Sequence, residues 1–367
     1  MLLFFRSTGE PSLNSHKLEN GAAARENGAA ARDWLPILNR YRAPSQLRSA
    51  IEIGITLVPF VLLWAVSWYS LQWSYGLSLL FAAFAACFLV RLFMIQHDCG
   101  HGAFFRRRRA NDWTGRALSV LTFTPYDDWR RSHAVHHATS GNLDRRGIGD
   151  ITTLTVNEYL ARTPWRRVAY RFYRHPLVMF GLGPAYLFLL QHRLPALGAL
   201  KDWRSWLSPM ATNVAIGLLA VSVIWVIGLG PFLLVQVPII LLASSIGVWL
   251  FHVQHQFEET AWAQDSDWAV HEAALHGSSY YDLPVILRWL TANIGVHHVH
   301  HLCSRIPYYR LNRVLSDHPQ LKEMGRITLR ESFACVRLVL WDARQRRLIS
   351  FRELRPPAAR YFLPKRP

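Results

Sequence analysis

The amino-acid sequence predicts an all-α membrane protein: two transmembrane helical hairpins, four spans in all, with the remaining helices gathered on the cytoplasmic side. Three observations carry this expectation. Two long stretches hold no Asp, Glu, Lys or Arg; arginines crowd the segment between them; and histidines fall in three groups, at helical spacing, beside the ends of the apolar runs. With 367 residues, 51% hydrophobic content and 15 tryptophans, the chain has enough apolar side chains for several spans.

Residues 1–33 are polar and rich in Ala and Gly, and the heptad Glu-Asn-Gly-Ala-Ala-Ala-Arg occurs at 19–25 and again at 26–32. Such a composition buries too little apolar surface to offset chain entropy, so a disordered tail is expected. The opening Met1-Leu2-Leu3-Phe4-Phe5-Arg6 is too short an apolar run for a cleavable secretory signal. The membrane domain is expected over 34–355 and a C-terminal tail over 356–367. A spanning helix needs about 20 apolar residues. The 38 residues from Ile53 to Val90, broken near their middle by Gln72-Trp73-Ser74-Tyr75-Gly76, therefore form a hairpin with spans at about 53–71 and 76–96. Ser205 to Phe257 repeats the pattern around Gly228-Leu229-Gly230-Pro231, with spans at about 207–228 and 231–252. Pro59 and Pro238 fall inside spans, which lipid-embedded helices tolerate better than soluble ones. The cytoplasmic parts are then 97–204 and 253–355. A shorter apolar piece, Pro176 to Gln191, contains Gly181, Gly183 and Pro184 and falls short of a span, so it is expected to be interfacial or re-entrant.

Segment 97–175 carries fourteen arginines, Arg106 to Arg109 among them, against seven Asp and Glu, while the inter-span turns carry no charge. That asymmetry places both termini and both long loops in the cytoplasm. The net charge of +17 borders apolar runs and does not lie on a soluble module with interleaved aromatics, which argues against nucleic acid. Cysteines 87, 99, 303 and 335 form no paired framework and read as free thiols in a reducing compartment. Near the C-terminus, Thr328-Leu329-Arg330-Glu331 is a capping-box pattern, followed by Leu329, Phe333, Val336 and Leu340 at helical spacing. This basic amphipathic helix has two readings, lying on the membrane surface or packing on the rest of the domain.

Asn293-Ile294-Gly295-Val296-His297-His298-Val299-His300-His301 sets four histidines in five positions. On a helix His297, His300 and His301 share a face and are expected to converge on one point, with His298 about 100° around. His97 and His101 are spaced i, i+4, and His133, His136 and His137 are spaced i, i+3, i+4. One such pair is more often a solvated or capping feature. Three groups together at a membrane point to function. Eight aligned imidazoles suit Fe, Zn, Cu or Ni, and their number suits two metals. Asn293, one turn before His297, either reaches a metal-bound water through its amide or caps a local turn. Gly295 is expected to permit a close backbone approach. His16, His175, His192 and His318 read as solvated, and His271 and His276 do not share a helical face.

HxxxH, HxxHH and HxxHH, in this order around two membrane hairpins, resemble the histidine boxes of the integral-membrane fatty acid desaturase family. The likeness runs from about residue 50 to 355 and includes His97-Asp98-Cys99-Gly100-His101-Gly102, Gly141-Asn142-Leu143-Asp144-Arg145-Arg146-Gly147, Val253-Gln254-His255-Gln256-Phe257-Glu258, Gly277-Ser278-Ser279-Tyr280-Tyr281-Asp282 and Asn293-Ile294-Gly295. These segments are similar to the bacterial and plant acyl-lipid branch of omega-6 or delta-12 type. The resemblance implies an oxidoreductase with two non-haem Fe ions that uses O2 and two electrons to put a double bond into an acyl chain, most readily one carried on a lipid. An alkyl C–H offers no handle for acid–base catalysis, so a metal oxidant must supply the chemistry. Spacing alone does not choose between His252 and His255 as a ninth ligand. The resemblance chooses His255, since position 252 is more often aromatic in the relatives, and gives a metal set of His97, His101, His133, His136, His137, His255, His297, His300 and His301.

Two other readings compete. A related hydroxylase or ketolase acting on alkanes or carotenoids uses similar boxes and inserts oxygen. A His-rich metal transporter or haem protein would not be an enzyme, but transporters place polar ligands at mid-membrane, where these spans have no charged residue. The sequence shows no cytochrome b5-like module and no dinucleotide glycine motif, so a separate ferredoxin or cytochrome b5 type of donor is expected. The arginine-rich face either docks that acidic carrier or serves orientation and anionic lipid alone. The expected location is a bacterial inner (cytoplasmic) membrane.

Overall fold

The structure, a computed structural model, describes residues 31–195 and 202–354. A helix over residues 31–39 (α1) takes in the end of the segment expected to be a tail, and the rest of that segment, like 356–367, lies outside the described residues. Helices α2 (Gln46–Ser70) and α3 (Tyr75–Gly100) form the first hairpin. Ser45 and Ser74 begin them, each hydroxyl accepting from the N–H three residues on, and so supply a partner to a helix start that otherwise lacks one. After α4 (Arg108–Thr122) and α5 (Tyr126–Thr139) come β1 (Leu154–Thr155), α6 (Val156–Ala161), α7 (Pro164–Tyr173), a π-helical turn at Val178–Leu182 and α8 (Gly183–Leu189). The second hairpin, α9 (Trp203–Ile227) and α10 (Leu229–His255), turns at Gly228, whose φ of 88° favours glycine.

These four helices have 25, 26, 25 and 27 residues, and each contains an 18-residue stretch with a mean hydropathy of 2.0 to 2.3, long and apolar enough to cross a bilayer. The protein is an all-α integral membrane protein in its main architecture, as expected. Helix α3 is the central span: 56% of its apolar window is buried, against 6% for α9, which turns nearly all its side chains outward. The helices extend beyond the charge-free runs because backbone hydrogen bonding does not stop where hydropathy does. The two charges bounding the first run meet as a result. Glu52 and Arg91, both fully buried, pair between α2 and α3. Arg91 also donates to Thr56 Oγ1 at 3.1 Å and lies 4.2 Å from the Trp289 ring centroid, while Tyr308 Oη donates to Glu52 at 2.9 Å. Removing one partner of such a buried pair costs about 3–5 kcal/mol.

The chain from 256 onward folds over the open ends of α3 and α10 as α11 (Val270–His276), β2 (Tyr280–Asp282), α12 (Val285–Leu290), α13 (His297–Leu302), α14 (Tyr308–Asp317), β3 (Arg326–Thr328), α15 (Leu329–Cys335), β4 (Leu340–Asp342) and β5 (Arg347–Ile349). Strand β1 pairs parallel with β4 and β4 antiparallel with β5; β2 pairs parallel with β3. The capping box forms, with Thr328 Oγ1 and Glu331 each accepting from the other's backbone N–H. The helix it starts has only seven residues. Leu340, expected on its apolar face, is instead fully buried in β4, because pairing with β1 and β5 overrides the local period. Arg174, 2% exposed, ties this part together, donating to Gln256 Oε1 at 2.5 Å and to Leu338 O at 2.8 Å.

Candidate metal centre

Three helix ends and one short helix bring nine histidines together. The last turn of α3 carries His97, with His101 just beyond it; α5 carries His133, His136 and His137; α10 ends on His255; and α13 carries His297, His300 and His301. They form two groups, His97, His101, His133, His137 and His300 in one and His136, His255, His297 and His301 in the other, each with its ligand atoms within 4.8 Å of one another and able to hold a metal ion.

This division corrects the expectation that His297, His300 and His301 converge on one point. In both HxxHH boxes the i, i+4 pair stays together, His133 with His137 and His297 with His301, while the i+3 residue crosses to the other group. On a helix i+3 and i+4 lie on opposite sides of the axis line through i, about 60° and 40° away. That difference is enough to aim neighbouring rings at two centres, so each box braces both groups.

Nε2 atoms face each other at 3.0 Å (His101 and His133), 3.1 Å (His133 and His137) and 3.2 Å (His137 and His300) in the first group. In the second the spacings are 3.1 Å (His136 and His255), 3.0 Å (His255 and His297) and 3.1 Å (His297 and His301). Donors bound to one metal at about 2.1 Å and at right angles stand about 3.0 Å apart. The residues therefore fit a metal in each group. Burial, with the charge of neighbouring imidazoles added, holds His101, His133, His137, His297, His300 and His301 well below the ordinary value of 6.5, keeping them neutral and their lone pairs available.

The neighbouring candidates are placed elsewhere. His298 turns away and its Nε2 contacts Leu321 O at 2.9 Å. His252 is buried against Phe180, with Nε2 3.1 Å from Cys335 O, and belongs to neither group. Asn293 has a left-handed φ of 56°; its Nδ2 donates to Tyr308 O at 3.2 Å and its Oδ1 accepts from Asn312 at 2.6 Å. Both ends of its amide are thus engaged by α14, at Tyr308 and Asn312. His192, read as solvated, instead lines a cavity.

Sequence reasoning missed two kinds of residue. Asp98 and Asp150 stand behind the imidazoles, the first 3.3 Å from His97 Nδ1 and the second 2.5 Å from His136 Nδ1. Trp129 stacks on His133 with centroids 4.6 Å apart, in space that a Cβ on Gly100 would invade at 2.8 Å. It also lines that cavity, of about 860 Å³, which runs between α3, α10 and the 172–194 segment and reaches His97 of one group and His297 of the other. Phe172, Leu182 and Tyr186 line it and are also 58–64% exposed, so its mouth opens sideways between apolar side chains.

The family model described as fatty acid desaturase matches residues 73–331. A protein of Bacillus subtilis described as a fatty acid desaturase is 45% identical over 315 residues, 86% of this chain and 89% of that protein. Two Synechocystis proteins are more distant. An sn-1 acyl-lipid omega-3 desaturase (ferredoxin) is 28% identical over 60% of this chain and 62% of its own length. An sn-1 oleoyl-lipid 12-desaturase is 26% identical over 64% and 65%.

Proposed function

The chain belongs to the fatty acid desaturase family, and from that premise we propose that it is an O2-dependent enzyme that forms a double bond in an acyl chain carried on a membrane lipid, at two non-haem iron ions held by the two histidine groups. The observation that carries this reading is the cavity, apolar along most of its walls, that is lined by His97 and His133 of one group and His297 of the other. Imidazole nitrogens suit iron. Iron bound there would supply, with O2 as co-substrate, the oxidising power that an unactivated C–H bond needs.

The chain's own residues position the substrate. Leu89, Phe93 and Met94 of α3 face Ala243, Gly247 and Leu250 of α10 across the cavity and hold an acyl chain extended toward His97 and His297. The same walls exclude water from the reacting segment. Helix α7 exposes Trp165, Val168 and Phe172, and Leu177 is exposed just before the π-helical turn, a face suited to the membrane interface, so the acyl chain enters between Leu182 and Tyr186 while its headgroup stays at the surface. Electrons come from a separate ferredoxin or cytochrome b5 type of carrier, which the ferredoxin in the name of one Synechocystis relative supports. The histidine-bearing side faces the cytoplasm of a bacterial inner membrane, since the exposed arginines lie there.

Expression of the full chain in a host without such an enzyme, followed by mass spectrometry of fatty-acid methyl esters, tests the reading. A new double bond in lipid-bound acyl chains is expected. A hydroxyl or keto product would replace it with the oxygen-inserting alternative, and an unchanged acyl profile from metal-loaded protein with a donor present would overturn it.

A further inference from the structure

We propose that Asp150 is a positioning residue for the metal of the four-histidine group, acting through His136; this rests on the two-metal reading above. His136 is 1% exposed and faces two ways. Its Nε2 lies 3.1 Å from His255 Nε2, inside the group, and its Nδ1 lies 2.5 Å from Asp150 Oδ1. A neutral imidazole has one N–H and one lone pair, and a carboxylate only accepts. The contact therefore keeps the proton on Nδ1 and leaves the Nε2 lone pair facing the metal position.

The loop that delivers Asp150 is built for that contact. Gly149 has φ of 74°, and a Cβ there would lie 3.1 Å from Ser132 O and 3.2 Å from His136 Cβ, so the backbone runs against α5 directly behind the imidazole. Gly147 has φ of 118°, and its N–H donates to Asp150 Oδ2 at 3.3 Å, which turns the other carboxylate oxygen to the ring. Both conformations favour glycine. Within the same group His297 Nδ1 is buried without a hydrogen-bond partner, so the orientation of that ring is not locked in this way. Asp98 is the counterpart in the other group, but its second oxygen accepts from Tyr308 N at 2.7 Å and so also holds α14. Asp150 has its hydrogen bonds only to His136 and to its own loop among the described residues, which separates orientation of the ring from support of the fold.

Metal titration tests this without recourse to turnover. The full-length protein, stripped of metal in lipid nanodiscs, is titrated with Co(II) and followed by visible absorption and metal analysis. Wild type is expected to take up two equivalents. Asp150→Ala is expected to bind one equivalent as wild type does and the other about 10–100-fold more weakly, the usual cost of removing a carboxylate behind a metal-bound histidine. The melting temperature of its metal-free form should be unchanged, and Asp150→Glu should recover part of the lost affinity. Two wild-type sites in Asp150→Ala would overturn the proposal. So would an equal loss at both sites accompanied by a lower melting temperature, which would make Asp150 a fold residue. Wild-type protein that takes up fewer than two equivalents would overturn the two-metal reading itself, and this assignment with it.

Discussion

His252 and His255 stand three positions apart on α10, yet one faces the second histidine group and the other contacts Phe180 and Cys335 O. Helical spacing could not separate them, because what separates them is the packing of chain eighty residues further on; the likeness of the surrounding segment could. His255→Ala is expected to abolish product formation and lower bound metal. His252→Phe should keep most of both, with stability reduced by about 0.5–1.5 kcal/mol, since Cys335 O loses the imidazole but keeps Leu338 N at 3.0 Å. Metal content and product yield of the two purified variants decide this, and the reverse pattern would exchange their roles. Asp150 was illegible for a different reason. It lies fourteen residues after His136 across a loop with no helical period, and the one local signal is the pair of glycines ahead of it that allows the loop to fold back.

At the scale of elements, the long helices were readable because length and hydropathy suffice for them, whereas the short ones depend on contacts made elsewhere. Helix α13 has six residues, too few to be stable alone, and it supplies histidines to both groups. The backbone just before it fixes its place: Tyr281 N donates to Gly295 O at 2.7 Å, and Tyr280 bridges Val296. A Cβ at 295 would lie 2.5 Å from Tyr281 O. The close approach expected at Gly295 is thus one between the backbone leading into the histidine helix and β2, a strand whose pairing with β3 no local pattern foreshadows. Gly295→Ala should destabilise the protein by about 1–3 kcal/mol through overpacking and, by displacing α13, reduce metal in both groups. Thermal unfolding with metal analysis reads both effects; retention of two metals with a wild-type melting temperature would show that this contact does not place α13.

Across the whole molecule, the uneven distribution of charge could be read from the sequence, but not which charges were available. Some of the arginines counted there already have partners within the fold: Arg174 is buried in hydrogen bonds, and Arg146 pairs at the surface with Glu158. Arg106 to Arg109, by contrast, are all exposed, immediately after His101 at the start of α4, on the same side as both histidine groups. An acidic one-electron carrier approaching this side would meet an attractive field near the histidine groups, and such steering raises association rates by about 10–1,000-fold at low ionic strength. The field reaches only about one Debye length, about 10 Å at 0.1 M salt and 3 Å at 1 M. With purified donor below saturation, turnover is therefore expected to fall about tenfold or more between those conditions. Replacing Arg106, Arg107 and Arg109 by Glu, which spares the Arg108–Asp112 pair at 3.3 Å, should lower the rate at low salt and flatten its salt dependence. Bound metal should not change, because none of these side chains belongs to either group. A wild-type rate indifferent to salt would leave the arginines to orientation and anionic lipid and would place the electron donor on another surface.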